Sequence, residues 1–222
     1  MGREQAKNYW KTKPAQLYSM FLNAEAQELD ALERPEIVSL LPPLKHKVIL
    51  DLGAGIGRFT QEFACCAKKV VSLDVCPQFI EESKKRAKEC TNIEWLLSDV
   101  MDAAFEEKSF DLIFISWVFM YLEDSEVQSL IQKLHLWLQP DGHLFFRESC
   151  AATTHTLDPT GNVKKPVPAS IPLYWATYRS PIAYDRLFHN WKLVQSGNIR
   201  AFETLKADPF KYYWLYQPNK NR

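Results

Sequence analysis

At 222 residues the chain is long enough to bury one full hydrophobic core and cramped for a second. Its 27 Lys and Arg offset 27 Asp and Glu, which excludes the basic footprint of a nucleic-acid or anionic-membrane binder and points to a small partner. The longest apolar run, Leu112 to Leu122, is shorter than the ~20 residues of a membrane span, and Met1-Gly-Arg-Glu-Gln-Ala lacks a signal-peptide core and a myristoylation pattern.

The first periodic stretch, about Leu17 to Leu41, reads as a helix that Pro42-Pro43 ends, so residues 1–44 form an N-terminal helical cap. Beyond it, apolar periodicity predicts strand 47–52, helix 57–66, strand 69–74, helix 78–88, strand 92–97, strand 110–116, helix 124–138 and strand 142–148. Such alternation argues for an α/β fold whose mostly parallel sheet carries helices on both faces. Leu130, Leu134 and Leu138 make one apolar face of a helix that stops at Pro140-Asp-Gly142. From Cys150 to Leu173 the pattern lapses into Thr, Pro, Lys and Gly, the composition of an insertion loop. Residues 180–189 look helical again, and 191–203 and 211–217 read as an antiparallel strand pair closing the edge of a seven-stranded sheet, all within a single domain spanning 1–222. Cys65, Cys66, Cys76, Cys90 and Cys150 show no C-x-x-C and no histidine at ligand spacing. They read as reduced, mostly buried thiols of a cytoplasmic protein without a metal site.

The most informative segment is Asp51-Leu-Gly-Ala-Gly-Ile-Gly-Arg-Phe-Thr60, which follows the apolar Val48-Ile49-Leu50 and precedes an amphipathic stretch. This is a strand, a tight turn and a helix start. Gly53, Gly55 and Gly57 remove side chains where the backbone bends and a ligand approaches the strand's carboxyl end. A dinucleotide fingerprint needs its third glycine where this chain has Arg58, so no pyrophosphate is expected. The spacing instead resembles motif I of the class I S-adenosylmethionine-dependent methyltransferases, which have a Rossmann-like, doubly wound, mostly parallel seven-stranded sheet. That resemblance implies S-adenosyl-L-methionine as cofactor, held by Asp51, Gly53, Gly55, Gly57 and Arg58.

Further acidic residues fall at strand ends. Asp74 lies seventeen residues after Gly57; its carboxylate can accept both ribose hydroxyl protons, although a strand-end Asp also serves as a helix N-cap. Asp99 follows Ile93–Leu97 and is placed to accept the adenine amino proton, while Val100 offers a backbone N–H; a turn role is the alternative. Val75 is placed to pack on the adenine face, and Ser116-Trp117 to line the pocket near the sulfonium.

More discriminating segments narrow the family. Tyr9-Trp10, Glu33-Arg-Pro-Glu36, Ser116-Trp-Val-Phe-Met-Tyr-Leu122, Phe145-Phe-Arg-Glu-Ser-Cys150 and Thr177-Tyr-Arg-Ser-Pro-Ile-Ala-Tyr184 resemble the first methyltransferase domain of the phosphoethanolamine N-methyltransferases, from the N-terminus to about residue 190. The resemblance implies conversion of phosphoethanolamine to phosphomonomethylethanolamine on the way to phosphocholine, with a second methyltransferase completing later methylations.

Methyl transfer to nitrogen needs an uncharged lone pair aligned with the methyl carbon and the sulfur. Tyr121 and Glu148, near strand ends, are candidates to orient the amine or relay its proton, with Tyr9 as a further catalytic candidate. Single-domain relatives carry a histidine where this chain has Tyr121, so the chain departs from that pattern. For the phosphate, Arg179 with Tyr174 and Tyr178 offers a charge-assisted fork and two phenols, and Arg147 is a second donor or else a structural ion pair. Tyr9, Trp10 and Tyr18 make a candidate lid over the sulfonium, or simply a packed helix. Two other classes stay open. Protein N-terminal amine methyltransferases share a similar glycine turn and a tryptophan after the fourth strand, and a non-catalytic companion domain would bind cofactor alone.

Overall fold

The computed structural model describes residues 2–151 and 176–219. Its centre is the strand β1 (Val48–Leu52), flanked by β2 (Lys69–Asp74) and β4 (Phe110–Ser116), with β3 (Ile93–Leu97) beyond β2 and β5 (Leu138–Ser149) beyond β4. These five strands are mutually parallel. β6 (Trp191–Asn198) and β7 (Lys211–Pro218) complete the order β3-β2-β1-β4-β5-β7-β6, and β7 runs antiparallel to both its neighbours. The expected antiparallel pair is present, with the last strand in sequence inserted inside the edge.

Near-continuous apolar composition suits β1, β2 and β4 to burial on both faces. Because side chains alternate across a strand, Leu50, Leu52, Ile113 and Ile115 pack on one side with α6 (Asp124–Trp137), through Leu130 and Leu134. Ile49, Leu112 and Phe114 pack on the other with α3 (Ala26–Leu40), α4 (Arg58–Ala64) and α8 (Arg200–Lys206), through Leu29, Phe63 and Phe202. There Phe114 lies parallel to Phe145 at a centroid separation of 5.3 Å. The remaining helices are α1 (Gly2–Lys11), α2 (Leu17–Phe21), α5 (Pro77–Arg86) and α7 (Pro181–Leu187).

The departures from the sequence expectations each have a local cause. The single helix expected over 17–41 is two, α2 and α3, because Leu22 adopts φ 50° and caps α2 by donating its N–H to Tyr18 O, while the Asn23 side chain accepts from Glu25 N. α1 precedes them where no periodicity was read. The strand expected over 191–203 stops at Asn198 because Glu36 reaches across from α3 and accepts from Arg200 N at 2.8 Å and Ala201 N at 3.0 Å, starting α8 there. β5 begins at Leu138, directly off α6, with a register shift between Phe110 and Leu112 on β4. Cys76 and Cys150 are buried, but Cys65 and Cys66 are exposed because α4 ends there at the surface. The loop expected over 150–173 falls, from residue 152, outside the described residues.

The Glu36 contact carries a measurable load. Glu36→Ala leaves two helix-start amides without their carboxylate, and the loss expected in chemical denaturation is about 1–2 kcal/mol.

Candidate active site

The carboxyl ends of β1, β2, β4 and β5 open on one side of the sheet, and the turn after β1 lies across them. Gly53 N and Ala54 N both bond to Leu73 O, at 2.8 and 2.9 Å, which ties the turn to β2. Gly55 has φ +57°, and a Cβ there would meet Met20 Sδ at 2.7 Å, so only glycine keeps this floor open beneath α2. Gly57 serves a different purpose: a Cβ there would stand 2.1 Å from Ser83 Oγ, so its bare backbone lets α4 pack on α5.

Above the turn is a cavity of about 340 Å³ lined by Asp51, Gly53, Gly55, Arg58, Asp74, Val75, Asp99, Val100, Ser116 and Trp117. The fold thus brings together the residues selected for the cofactor, apart from Gly57, which does not line it. Trp10, Met20, Phe21, Phe79 and Phe202 supply apolar walls, and Tyr121, Tyr178, Ser149 and Lys211 form another part of the lining.

The three strand-tip carboxylates are each held differently. Asp51 accepts from Thr60 Oγ1 at 2.6 Å, and burial, with Asp74 nearby, pushes its carboxyl up to about 7 against the pull of Thr60 and Arg58. Asp74 accepts from Gly55 N at 2.8 Å and Cys76 N at 2.9 Å; burial outweighs these amides and raises it. Asp99 accepts from Met101 N at 2.9 Å and Arg3 Nη1 at 3.1 Å and pairs with Lys7 Nζ at 2.9 Å. Burial opposes its ionisation, but the Met101 amide and the two cations of α1 hold it below the ordinary carboxylate range.

The shift at Asp51 has a definite sign. A carboxyl whose folded pKa is raised contributes stability below its unfolded pKa and loses it as pH climbs toward the folded value. Asp51→Asn, which still accepts from Thr60, is therefore expected to gain stability relative to the parent protein between about pH 4 and about pH 7, with no further gain above. A melting-temperature series in pH, on both proteins, checks this.

The substrate and catalytic candidates divide. Tyr121, on the short 3-10 turn Phe119–Tyr121 after β4, packs its ring edge-on to Trp10 at 6.0 Å and lines the cavity with Tyr178. Burial, reinforced by Tyr178 and Glu148, raises the Tyr121 phenol well above its ordinary value, and burial beside Glu148 pushes Tyr178 up to about 12. Both stay protonated at neutral pH. Tyr9 packs on Trp10 at 5.3 Å beneath the Lys13 ammonium and does not line the cavity.

Several placements correct the sequence expectations. Glu148 is fully buried and outside the cavity lining, with Oε1 accepting from Val118 N at 2.9 Å and Phe119 N at 2.8 Å; burial pushes it up to about 7 against those amides. Arg179, 1% exposed, spends its donors on Asp124 Oδ1, Phe119 O and Leu122 O at 2.7, 2.8 and 2.7 Å, so no free fork faces a phosphate. Arg147 is fully buried, 2.5 Å from Glu33 Oε1 and 3.3 Å from the Trp117 ring centroid, and burial lowers it to about 10 despite Glu33. It makes the structural ion pair. Arg58 lines the cavity with its charge matched by Asp30 at 2.7 Å and Glu33 at 2.6 Å. Tyr18 is 56% exposed because α2 turns it outward and presents Met20 and Phe21 inward. Tyr174 lies outside the described residues.

Sequence reasoning missed Lys211. It opens β7, lines the cavity, and pairs with Asp208 at 2.5 Å. Its one available signal was a lysine at the head of an otherwise aromatic strand.

Comparison with known proteins now has a geometry to meet. A family model described as a methyltransferase domain matches residues 49–142. A phosphoethanolamine N-methyltransferase of Triticum aestivum is 36% identical over 99% of the chain and 42% of its own length. Phosphoethanolamine N-methyltransferase 1 of Arabidopsis thaliana is 38% identical over 97% of the chain and 45% of its own length. In structure, Haemonchus contortus phosphoethanolamine N-methyltransferase 1, solved with phosphoethanolamine and S-adenosylhomocysteine, superposes at a TM-score of 0.86 with 30% identity, covering 100% of this chain and 50% of that one.

The chain is similar to phosphoethanolamine N-methyltransferases over nearly all of its length and has the class I methyltransferase fold.

It spans about half the length of the curated relatives it matches. Bradyrhizobium japonicum NodS, an N-methyltransferase at 19% identity and a TM-score of 0.71, shares the fold. Among the described residues no helix is long and apolar enough to cross a membrane.

Proposed function

We propose that this chain uses S-adenosyl-L-methionine to methylate the amine of phosphoethanolamine, giving phosphomonomethylethanolamine on a route to phosphocholine. The observation that carries this reading is the match along the whole chain to the Haemonchus enzyme, which was solved with phosphoethanolamine and S-adenosylhomocysteine. The cavity's chemistry agrees with such a pair of ligands.

The cofactor fits the residues present. A turn that a Cβ would fill at Gly55, with Asp51, Asp74 and Asp99 at successive strand tips, offers a bare floor and acceptors for an ammonium, ribose hydroxyls and an adenine amino group. When bound, S-adenosyl-L-methionine supplies an electrophilic methyl on a sulfonium. Val75 and Val100 would hold its adenine, the Val100 N–H serving the ring, and Ser116 and Trp117 would line the side nearer the methyl, all four being part of the cavity lining.

The chain's task is then to hold a neutral amine in line. The protonated phenols of Tyr121 and Tyr178 accept from the N–H groups of the neutral amine, whose extra proton has already passed to bulk water, and keep its lone pair oriented, with Tyr9 behind them outside the lining. Lys211 supplies the cation for the phosphate, since the Arg179 donors are spent within the protein, and Tyr178 of the same cavity donates its phenolic proton. Free thiols at Cys65 and Cys66 suit a reducing cytoplasm, and a second methyltransferase is the expected partner for later methylations.

A mass-resolved assay tests the reading by offering phosphoethanolamine, its mono- and dimethyl forms, free ethanolamine and a short basic peptide side by side. The expected product is phosphomonomethylethanolamine from phosphoethanolamine, with neither ethanolamine nor the peptide modified. Methylation of the peptide alone would overturn it.

A further inference from the structure

We infer that Glu148 and Arg179 are positioning residues: together they clamp the turn Trp117–Leu122 from below, one by its N–H groups and the other by its carbonyls, and so set where Trp117 and Tyr121 stand in the cavity. This rests on the proposed methyl transfer, which makes those two side chains part of the site.

The turn needs holding. Trp117 has φ +55°, a left-handed conformation that residues with a Cβ rarely adopt, so a free turn would relax away from it. Trp117 N donates to Arg147 O at 3.0 Å, and the next two amides, Val118 N and Phe119 N, both donate to Glu148 Oε1 at 2.9 and 2.8 Å. From the opposite polarity, Arg179 donates to Phe119 O at 2.8 Å and Leu122 O at 2.7 Å, and Thr177 N donates to Met120 O at 2.6 Å. Asp124, just beyond the turn, fixes the same guanidinium at 2.7 Å. The Arg147 guanidinium, 3.3 Å from the Trp117 ring centroid, presses the indole from β5.

Burial sharpens the argument. Glu148 and Arg179 are 0% and 1% exposed, so each buried charge needs partners. The backbone of one six-residue turn meets both, its peptide groups facing a carboxylate on one side and a guanidinium on the other, with Asp124 completing the set for Arg179. The Gly53 floor depends on the same turn, since a Cβ at Gly53 would lie 2.4 Å from Val118 Cγ2. Moving the turn therefore moves cofactor floor and amine wall together.

Glu148→Gln and Glu148→Leu separate positioning from proton transfer. Glutamine keeps a carbonyl oxygen for both amides, so its kcat and pH profile are expected within about threefold of the parent protein. Leucine removes the acceptor: because the cofactor floor and the amine wall move together, the expected result is a kcat at least about 30-fold lower, weaker binding of S-adenosylhomocysteine, and faster hydrogen exchange at Val118 and Phe119. Arg179→Lys, which cannot reach both carbonyls in a fork, is expected to lower kcat to an intermediate extent and serves if the leucine variant does not fold. A glutamine variant as slow as the leucine one, or one that loses a limb of the pH profile, would overturn the inference and make Glu148 a proton acceptor. A leucine variant with normal exchange at those two amides would overturn it as well. Exchange reads the clamp whichever amine is methylated, so a failure of the phosphoethanolamine assay in the parent protein is distinguishable from a failure of the clamp.

Discussion

Gly55→Val is expected to weaken S-adenosylhomocysteine binding by about 100-fold or more. Two costs combine. At φ +57° a β-branched residue is strained by about 1–3 kcal/mol, and its Cβ would stand 2.7 Å from Met20 Sδ; the thioether can swing aside, so the main shift is of the strained turn itself, and the added side chain fills floor that Gly55 leaves open to the cavity. The shift also pulls Gly55 N off Asp74, loosening the carboxylate proposed for the ribose. Titration calorimetry measures the loss, and Gly57→Ala is the control. There the added methyl meets Ser83 behind the turn, so melting temperature is expected to fall more than affinity. Unchanged binding in Gly55→Val would mean that the ligand does not rest on this turn.

Lys211→Met is expected to raise the KM for phosphoethanolamine by roughly 10- to 100-fold, the ~1.5–3 kcal/mol of one charge-assisted bond, with the Kd for S-adenosylhomocysteine little changed. Methionine keeps much of the stem's length and removes the ammonium, together with its position 5.5 Å over the Phe202 ring. The other cations near the cavity have partners: Arg3 and Lys7 on Asp99, Arg58 on Asp30 and Glu33. Lys211 also has one, Asp208, but that carboxylate sits three residues away on the surface side and is itself partly exposed. Steady-state kinetics with the variant and with Asp208→Asn checks the assignment. An unchanged KM in Lys211→Met would remove Lys211 from phosphate binding.

The residues that were legible in the sequence share a property: their role is written in their own strand or turn. Asp51, Gly53, Gly55, Asp74 and Asp99 sit at strand ends that periodicity locates, and a strand end in a parallel sheet is a place in space as well as in the chain. Arg147, Glu148 and Arg179 also lie on readable elements, but their roles depend on partners 29 to 114 positions away in sequence, from Phe119 and Asp124 to Glu33. A cation or carboxylate in a discriminating motif looks the same whether it faces a ligand or the backbone of its own turn. The same limit hid the start of α8, which Glu36 dictates from α3, and the break at Leu22, where a residue with no turn propensity takes a left-handed conformation. Lys211 was missed because only the packing of β7 brings its first residue to the cavity.

That packing fixes an order of assembly. β7 lies between β5 and β6, and its ladder to β5 joins residues as far apart as Leu144 and Tyr216. Such a pairing closes a long stretch of chain before its contacts form, which makes it a late event by loop entropy. A nascent polypeptide that has emerged only through β6 therefore holds every glycine and carboxylate of the methyl-donor half, yet has two unpaired sheet edges and no Lys211. Of the strands in this sheet, the one that brings Lys211 to the cavity is the last to find its place.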